Sequence, residues 1–245
     1  MVARADQATD PAVLADLAGV RLGTAAFRRA LAALDDDDFD APSLLPGWTR
    51  RHLVAHVGYN ARALSRLVTW AATGVEHPMY ASPRAREEEI ELGATLRPEA
   101  LRSLAEHAAV ELDVRWRDLP DERWAETVVT AQGRLVPVAE TLFMRSREVW
   151  LHAVDLRSGM RVRDIPEPFL RRLLGDVVGL WGRRGQLAGL RLAEVGGAQQ
   201  RWGADAGDAA RVSGDLASLT AWATGRGSEG VSWSGADPRG APRWI

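Results

Sequence analysis

Apolar residues recur at three- and four-residue intervals over most of the first two thirds of the chain, the period of a helix that buries one face. Val13, Leu14, Leu17, Val20, Phe27, Leu31 and Leu34 trace such a face from Asp10-Pro11 to about Leu34, with Asp10 suited to the N-cap and Pro11 to the first helical position. After the loop around Pro42 to Trp48, Thr49 caps a second expected helix from Arg50 to about Ala72. A short charged helix is expected over Pro83 to Leu92, and a long amphipathic one over Pro98 to Leu119 through Leu101, Leu104, Ala108, Leu112 and Trp116. Beyond a linker in which 126–134 can pair briefly as strand, a further helix carries Glu148 and His152. The Asp35 to Asp38 run reads as a solvated helix end and loop.

The texture changes after a helix expected over Pro166 to about Arg184. Leu190 to Val195, Gln199 to Trp202, Ala210 to Val212 and Val231 to Trp233 are short strand-like pieces divided by Gly, Asp and Ser, with one helix near Asp215 to Thr224. The expected class is therefore α+β, mainly α: an antiparallel four-helix bundle over 1–160, then a small α+β domain over 161–245.

Composition narrows the chemistry mainly by what is missing. The chain has 245 residues, a formal net charge of −2 and no cysteine, and all 31 of its Lys-plus-Arg residues are arginines. A near-neutral balance gives no electrostatic case for nucleic acid or an anionic membrane, so a small molecule is the expected partner. Without cysteine there is no protein thiol nucleophile and no thiolate-held zinc or iron–sulfur cluster, and any metal must use histidine and carboxylate. Without lysine there is no Schiff base and no Walker-type phosphate loop. The N-terminal residues lack the apolar core of a signal peptide and no apolar run approaches a membrane span, so a cytoplasmic protein is expected.

Two helices each offer a polar pair four residues apart: His52 with His56, continued by Asn60, and Glu148 with His152. Such spacing puts both members on one face, and a bundle can bring two faces together. Two histidines and a carboxylate suit zinc or another divalent metal. The spacing alone leaves open the alternative that these are ordinary surface and core positions. His77, before a proline, reads as a loop residue and His107 as exposed helix surface.

Leu45-Pro46-Gly47-Trp48-Thr49-Arg50-Arg51-His52-Leu53-Val54-Ala55-His56, followed by Asn60, resembles the second-helix signature of the mycothiol-dependent maleylpyruvate isomerase family, a branch of the DinB-like metal-binding bundles. Pro78-Met79-Tyr80, Arg147-Glu148-Val149 through His152 to Leu156, and Thr224-Gly225-Arg226-Gly227 continue the resemblance in order. It implies a zinc-binding bundle with ligands His56, Glu148 and His152, His52 being structural, and a C-terminal sterol-carrier-like domain whose Arg226 reaches the active site. It implies mycothiol as thiol cosubstrate and conversion of maleylpyruvate to fumarylpyruvate by thiolate addition, rotation and elimination. Asn60 and Asp155 are then candidates for contacts to the cofactors or support of the ligands. The expected protein is a monomer whose partners are a small-molecule substrate and a low-molecular-weight thiol. The alternatives are a mycothiol-dependent S-transferase on another electrophile and a non-catalytic metal- or ligand-binding module.

Overall fold

A computed structural model describes residues 5–203, 210–235 and 240–244. Residues 1–4, part of the N-terminal stretch read for a targeting signal, lie outside the described residues. The chain divides into two compact units, Met1–Met160 and Arg161–Ile245. It is mainly helical, with seven α-helices among the described residues, none long and apolar enough to cross a membrane.

In the first unit, α1 (Pro11–Ala32), α2 (Arg50–Thr73), α4 (Pro98–Arg117) and α5 (Glu140–Asp155) are the principal helices, with the shorter α3 (Pro83–Ala94) laid against α2. Local chemistry sets their ends. The Asp10 carboxylate accepts from the Ala12 N–H at 2.7 Å, and the Ser82 hydroxyl accepts from the Ala85 N–H, each satisfying a donor that the first turn leaves open. At the start of α2 the Thr49 N–H donates to His52 Nδ1 at 3.3 Å. Gly74, at φ 74°, closes the same helix in the left-handed region, where a Cβ is disfavoured.

Packing follows the apolar faces. α1 lies against α5, and α2 against α4 and α5. Gly23 of α1 lets the backbone approach α5 closely, since a Cβ there would sit 2.7 Å from both Val149 Cγ2 and Trp150 Nε1. Gly58 of α2 does the same toward Leu104 of α4. One part of the core gathers Leu17, Leu64, Leu67, Leu112, Trp116 and Leu142, and another Phe27, Leu53, Val57, Leu101, Val149 and Leu156. The indole N–H of Trp116 donates to Thr141 Oγ1 at 3.0 Å, a buried polar link between α4 and the start of α5.

One detail differs from the sequence expectation. The aspartate run is not simply solvated: Asp36–Asp40 is a short 3-10 helix, whose Asp36 meets Arg102 at 3.2 Å and whose Asp38 meets Arg50 at 3.1 Å. The brief strand pairing expected within 126–134 is present, as β1 (Thr127–Val129) paired antiparallel with β2 (Leu135–Pro137) in a hairpin with Gly133 in its turn.

The second unit holds α6 (Glu167–Arg183), α7 (Leu216–Ala223) and a four-stranded sheet of β3 (Leu190–Glu194), β4 (Arg201–Gly203), β5 (Ala210–Gly214) and β6 (Val231–Ser234). The strand order is β4-β3-β5-β6, with β3 and β5 parallel and the outer pairs antiparallel. α6 buries Leu170, Leu173, Leu174, Val177, Val178 and Trp181, and Trp181 meets Trp222 of α7 edge to face. Arg171 ties α6 to the end of β3 through Glu194 at 3.0 Å. Gly225, at φ 75°, follows α7, and Arg226 comes next, its Nη1 donating to the Thr224 carbonyl at 2.8 Å.

Candidate metal centre

His56 lies on the second turn of α2, and Glu148 and His152 lie one turn apart on α5, the helix that packs on it. Their donor atoms converge. Glu148 Oε2 is 2.7 Å from His56 Nε2 and 3.1 Å from His152 Nε2, and one ligand atom from each residue lies within 4.8 Å of the others. The imidazoles stand nearly perpendicular, at 82°, with centroids 5.1 Å apart. Both histidines are buried and Glu148 is only partly exposed.

The neighbours decide which lone pairs face the centre. His152 Nδ1 is 2.8 Å from Oδ2 of Asp155, a carboxylate with no exposed surface. An ionised carboxylate only accepts, so Nδ1 carries the hydrogen, and a neutral His152 then turns the Nε2 lone pair toward Glu148. Two acceptors facing each other at that distance repel unless a cation, either a proton or a metal ion, lies between them.

The titration directions agree. Burial presses the His152 pKa down, but its bonds to Asp155 and Glu148 overcome this and raise it. At His56, burial outweighs the pull of Glu148 and the pKa falls, keeping the ring neutral. Burial would raise the Glu148 carboxyl, yet the two histidines hold it well below the usual range. An ionised carboxylate and two imidazole nitrogens, gathered out of bulk solvent, form a donor set that fits a divalent cation such as zinc.

The other histidines lie outside this cluster. His52 Nδ1 is engaged at the start of α2 by Thr49, 2.7 Å from its Oγ1, and Nε2 is 3.5 Å from Glu91. His107 is exposed on α4, its Nδ1 2.9 Å from the Ser103 carbonyl, and His77 is an exposed loop residue. Of the two residues expected to support the ligands, Asp155 touches His152, whereas Asn60 turns its amide oxygen to Arg145 Nη1 at 3.0 Å. Arg226 belongs to the second unit.

Arg86 and Arg145 had no part in the sequence reading, and Trp48 and Tyr80 entered it only within the motifs of the resemblance. Trp48 sets its ring edge-on to His56 at 5.4 Å between centroids, walling one side of the centre. Arg86 Nη2 lies 3.5 Å from His56 Nδ1. Burial pushes the Tyr80 hydroxyl up to about 12, Arg86 opposing and Glu148 adding to it. Arg145, 2% exposed, donates through Nη1 to the Val57 carbonyl at 2.7 Å as well as to Asn60, and burial brings its pKa down to about 10. The clue to Arg145 was its position three residues before Glu148, within the apolar stripe of Leu142, Val149 and Ala153.

The model of the mycothiol maleylpyruvate isomerase N-terminal domain family matches residues 20–157. A crystal structure of the mycothiol-dependent maleylpyruvate isomerase is 49% identical to this chain, with a TM-score of 0.90 over 95% of this chain and 97% of its own. A histidine-to-alanine mutant of that enzyme gives the same values. No curated protein sequence matches the chain. With more than half of its length matched by the family and nearly all of it aligned at 49% identity to a solved member, the chain belongs to the mycothiol maleylpyruvate isomerase family.

Proposed function

We propose that this chain is a mycothiol-dependent cis-trans isomerase that converts maleylpyruvate to fumarylpyruvate, with His56, Glu148 and His152 as ligands of a zinc ion. The observation that carries the reading is the convergence of those three donors in a chain 49% identical to a mycothiol-dependent maleylpyruvate isomerase. Zinc bound there would lower the pKa of a thiol and make thiolate available near neutral pH. The chain has no cysteine, so the thiol comes from the cosubstrate. Thiolate adds to the cis double bond conjugated with the carbonyls, leaving a single bond about which the substrate rotates. Elimination of the same thiolate restores the double bond in the trans form, so the thiol is returned unchanged.

The protein's own residues hold and shape the site. His152 is oriented by Asp155, which fixes the ring with Nδ1 protonated and Nε2 inward. Trp48 packs edge-on against His56 from the side. Arg226, assigned by the Thr224-Gly225-Arg226-Gly227 match alone, pairs with a substrate carboxylate or the enolate formed on addition. We read residues 1–160 as a DinB-like metal-binding four-helix bundle, supported by the packing of α1, α2, α4 and α5, and residues 161–245 as a sterol-carrier-like unit that supplies Arg226. Dependence on a reduced low-molecular-weight thiol favours a reducing compartment, the cytoplasm, and we take the working form as a monomer.

The test is cis-trans isomerisation of maleylpyruvate by the purified protein with zinc and mycothiol, followed by absorbance. The expected result is turnover that requires both additions and falls strongly in Arg226→Ala. Thiol conjugation without isomerisation would overturn the reading in favour of an S-transferase.

A further inference from the structure

A cleft of about 350 Å³ separates part of α1 from α4, with Phe27 and Leu31 on one wall, Ala105 and Ala109 on the other, and Arg145 of α5 reaching it from within. A second lobe of about 210 Å³ continues it and shares Arg145. Neither lobe is lined by His56, Glu148 or His152. The two lobes together fall within the range of small-molecule sites.

Arg145 is the unusual group in it. Its side chain is 2% exposed, and both hydrogens of Nη1 are used, on the Val57 carbonyl and on Asn60 Oδ1. Among the described residues Nε and Nη2 donate to no protein acceptor. That leaves the Nε and Nη2 hydrogens of the guanidinium available to an acceptor entering the cleft that Arg145 lines. The other charges of the cleft are already matched. Arg28 pairs with Glu106 at 2.8 Å, and Arg102 donates to the Leu31 and Leu34 carbonyls and to Asp36. Glu148, one turn along α5, acts on Arg145 electrostatically but is held by His56 and His152. A cation with an open Nε/Nη2 fork therefore stands at the inner end of a largely apolar cleft.

We propose that the α1–α4 cleft is a second small-molecule site, separate from the metal centre, which takes a monocarboxylate with an apolar body. The carboxylate accepts in bidentate fashion from Nε and Nη2 of Arg145, and the apolar body lies on Phe27, Leu31 and Ala105. The step is binding alone, with no bond made or broken.

The experiment is a titration of the full chain, zinc-loaded and zinc-free, with 4-fluorobenzoate, read by fluorine NMR. Saturable binding is expected in both forms, with the neutral 4-fluorobenzamide weaker by roughly tenfold or more. Arg145→Met should weaken 4-fluorobenzoate by a similar factor while zinc content stays at the wild-type value. Ala109→Phe, which fills the cleft from a half-buried position and leaves Arg145 in place, should do the same, so the test stands even if the Arg145 variant does not fold. Absence of saturable binding, binding that requires zinc, or undiminished affinity in Ala109→Phe would overturn the proposal.

Discussion

Asp155 has no exposed surface, and its Oδ2 lies 2.8 Å from His152 Nδ1, so its removal acts on the candidate metal centre without touching any of the three proposed ligands. In Asp155→Asn the side-chain volume is kept and a neutral oxygen can still accept from Nδ1, so the charge assistance is lost but not the contact. In Asp155→Ala the Nδ1–H is left in a buried site without that acceptor, and the ring is no longer held with Nε2 inward. Loss of such a partner behind a metal-binding histidine costs about 10- to 100-fold in metal affinity, or roughly 1.4–2.7 kcal/mol. The asparagine variant belongs near the lower end and the alanine variant near the upper. The backbone carbonyl of Asp155, which accepts from the Leu44 N–H at 2.9 Å, is unaffected by either change. Competition for zinc with a chromophoric chelator gives the affinities directly, and circular dichroism establishes that each variant is folded. A folded Asp155→Ala protein with wild-type zinc affinity would refute the claim that this carboxylate prepares His152 for a metal.

Three further predictions concern the scaffold. Gly23→Ala places a Cβ 2.7 Å from Val149 Cγ2 and Trp150 Nε1; the overpacking cost of about 1–3 kcal/mol outweighs the helix-propensity gain of roughly 1 kcal/mol, and urea unfolding should show a less stable protein. Thr141→Val leaves the buried Trp116 N–H without its acceptor and should lower stability by about 1–3 kcal/mol in the same assay. Asp6 is held below the usual carboxylate range chiefly by its hydrogen bond to Arg21, which it meets in bidentate fashion at 2.6 and 2.8 Å. A lowered folded-state pKa means stability that is present above the ordinary value of about 4 and lost as pH falls through the folded value. Asp6→Asn should therefore melt lower than wild type at pH 7, by no more than about 1 kcal/mol, and the two melting curves should converge toward pH 2.

Much of the helical framework could be read directly because each long helix carries an apolar face, and Asp10 and Thr49 stand at the N-cap positions expected of them. The strands of the second unit were legible from their Gly and Asp breaks, but the direct parallel pairing of β3 with β5, which β4 separates only in sequence, was not, since register depends on tertiary contacts. At the candidate centre, the Glu148–His152 contact follows from helix geometry, whereas His56 meets Glu148 across 92 residues of sequence and no local signal requires it. His52 and His56 look equivalent by spacing, but the first turn of α2 engages His52 with Thr49. Asn60 shares the His56 face in sequence, yet a guanidinium supplied by α5 draws its amide oxygen away. Arg145 itself was hidden by the general rule that arginine stays at the surface, and only packing of α5 between α1 and α2 forces it inward.

The claim that His56, Glu148 and His152 together hold a metal is tested most directly by the zinc content of purified protein and its single variants. Elemental analysis is predicted to give one zinc per chain in the wild type and in His52→Ala, and a strong loss in folded His56→Ala, Glu148→Ala and His152→Ala. Full zinc occupancy retained in all three of those variants would contradict the account.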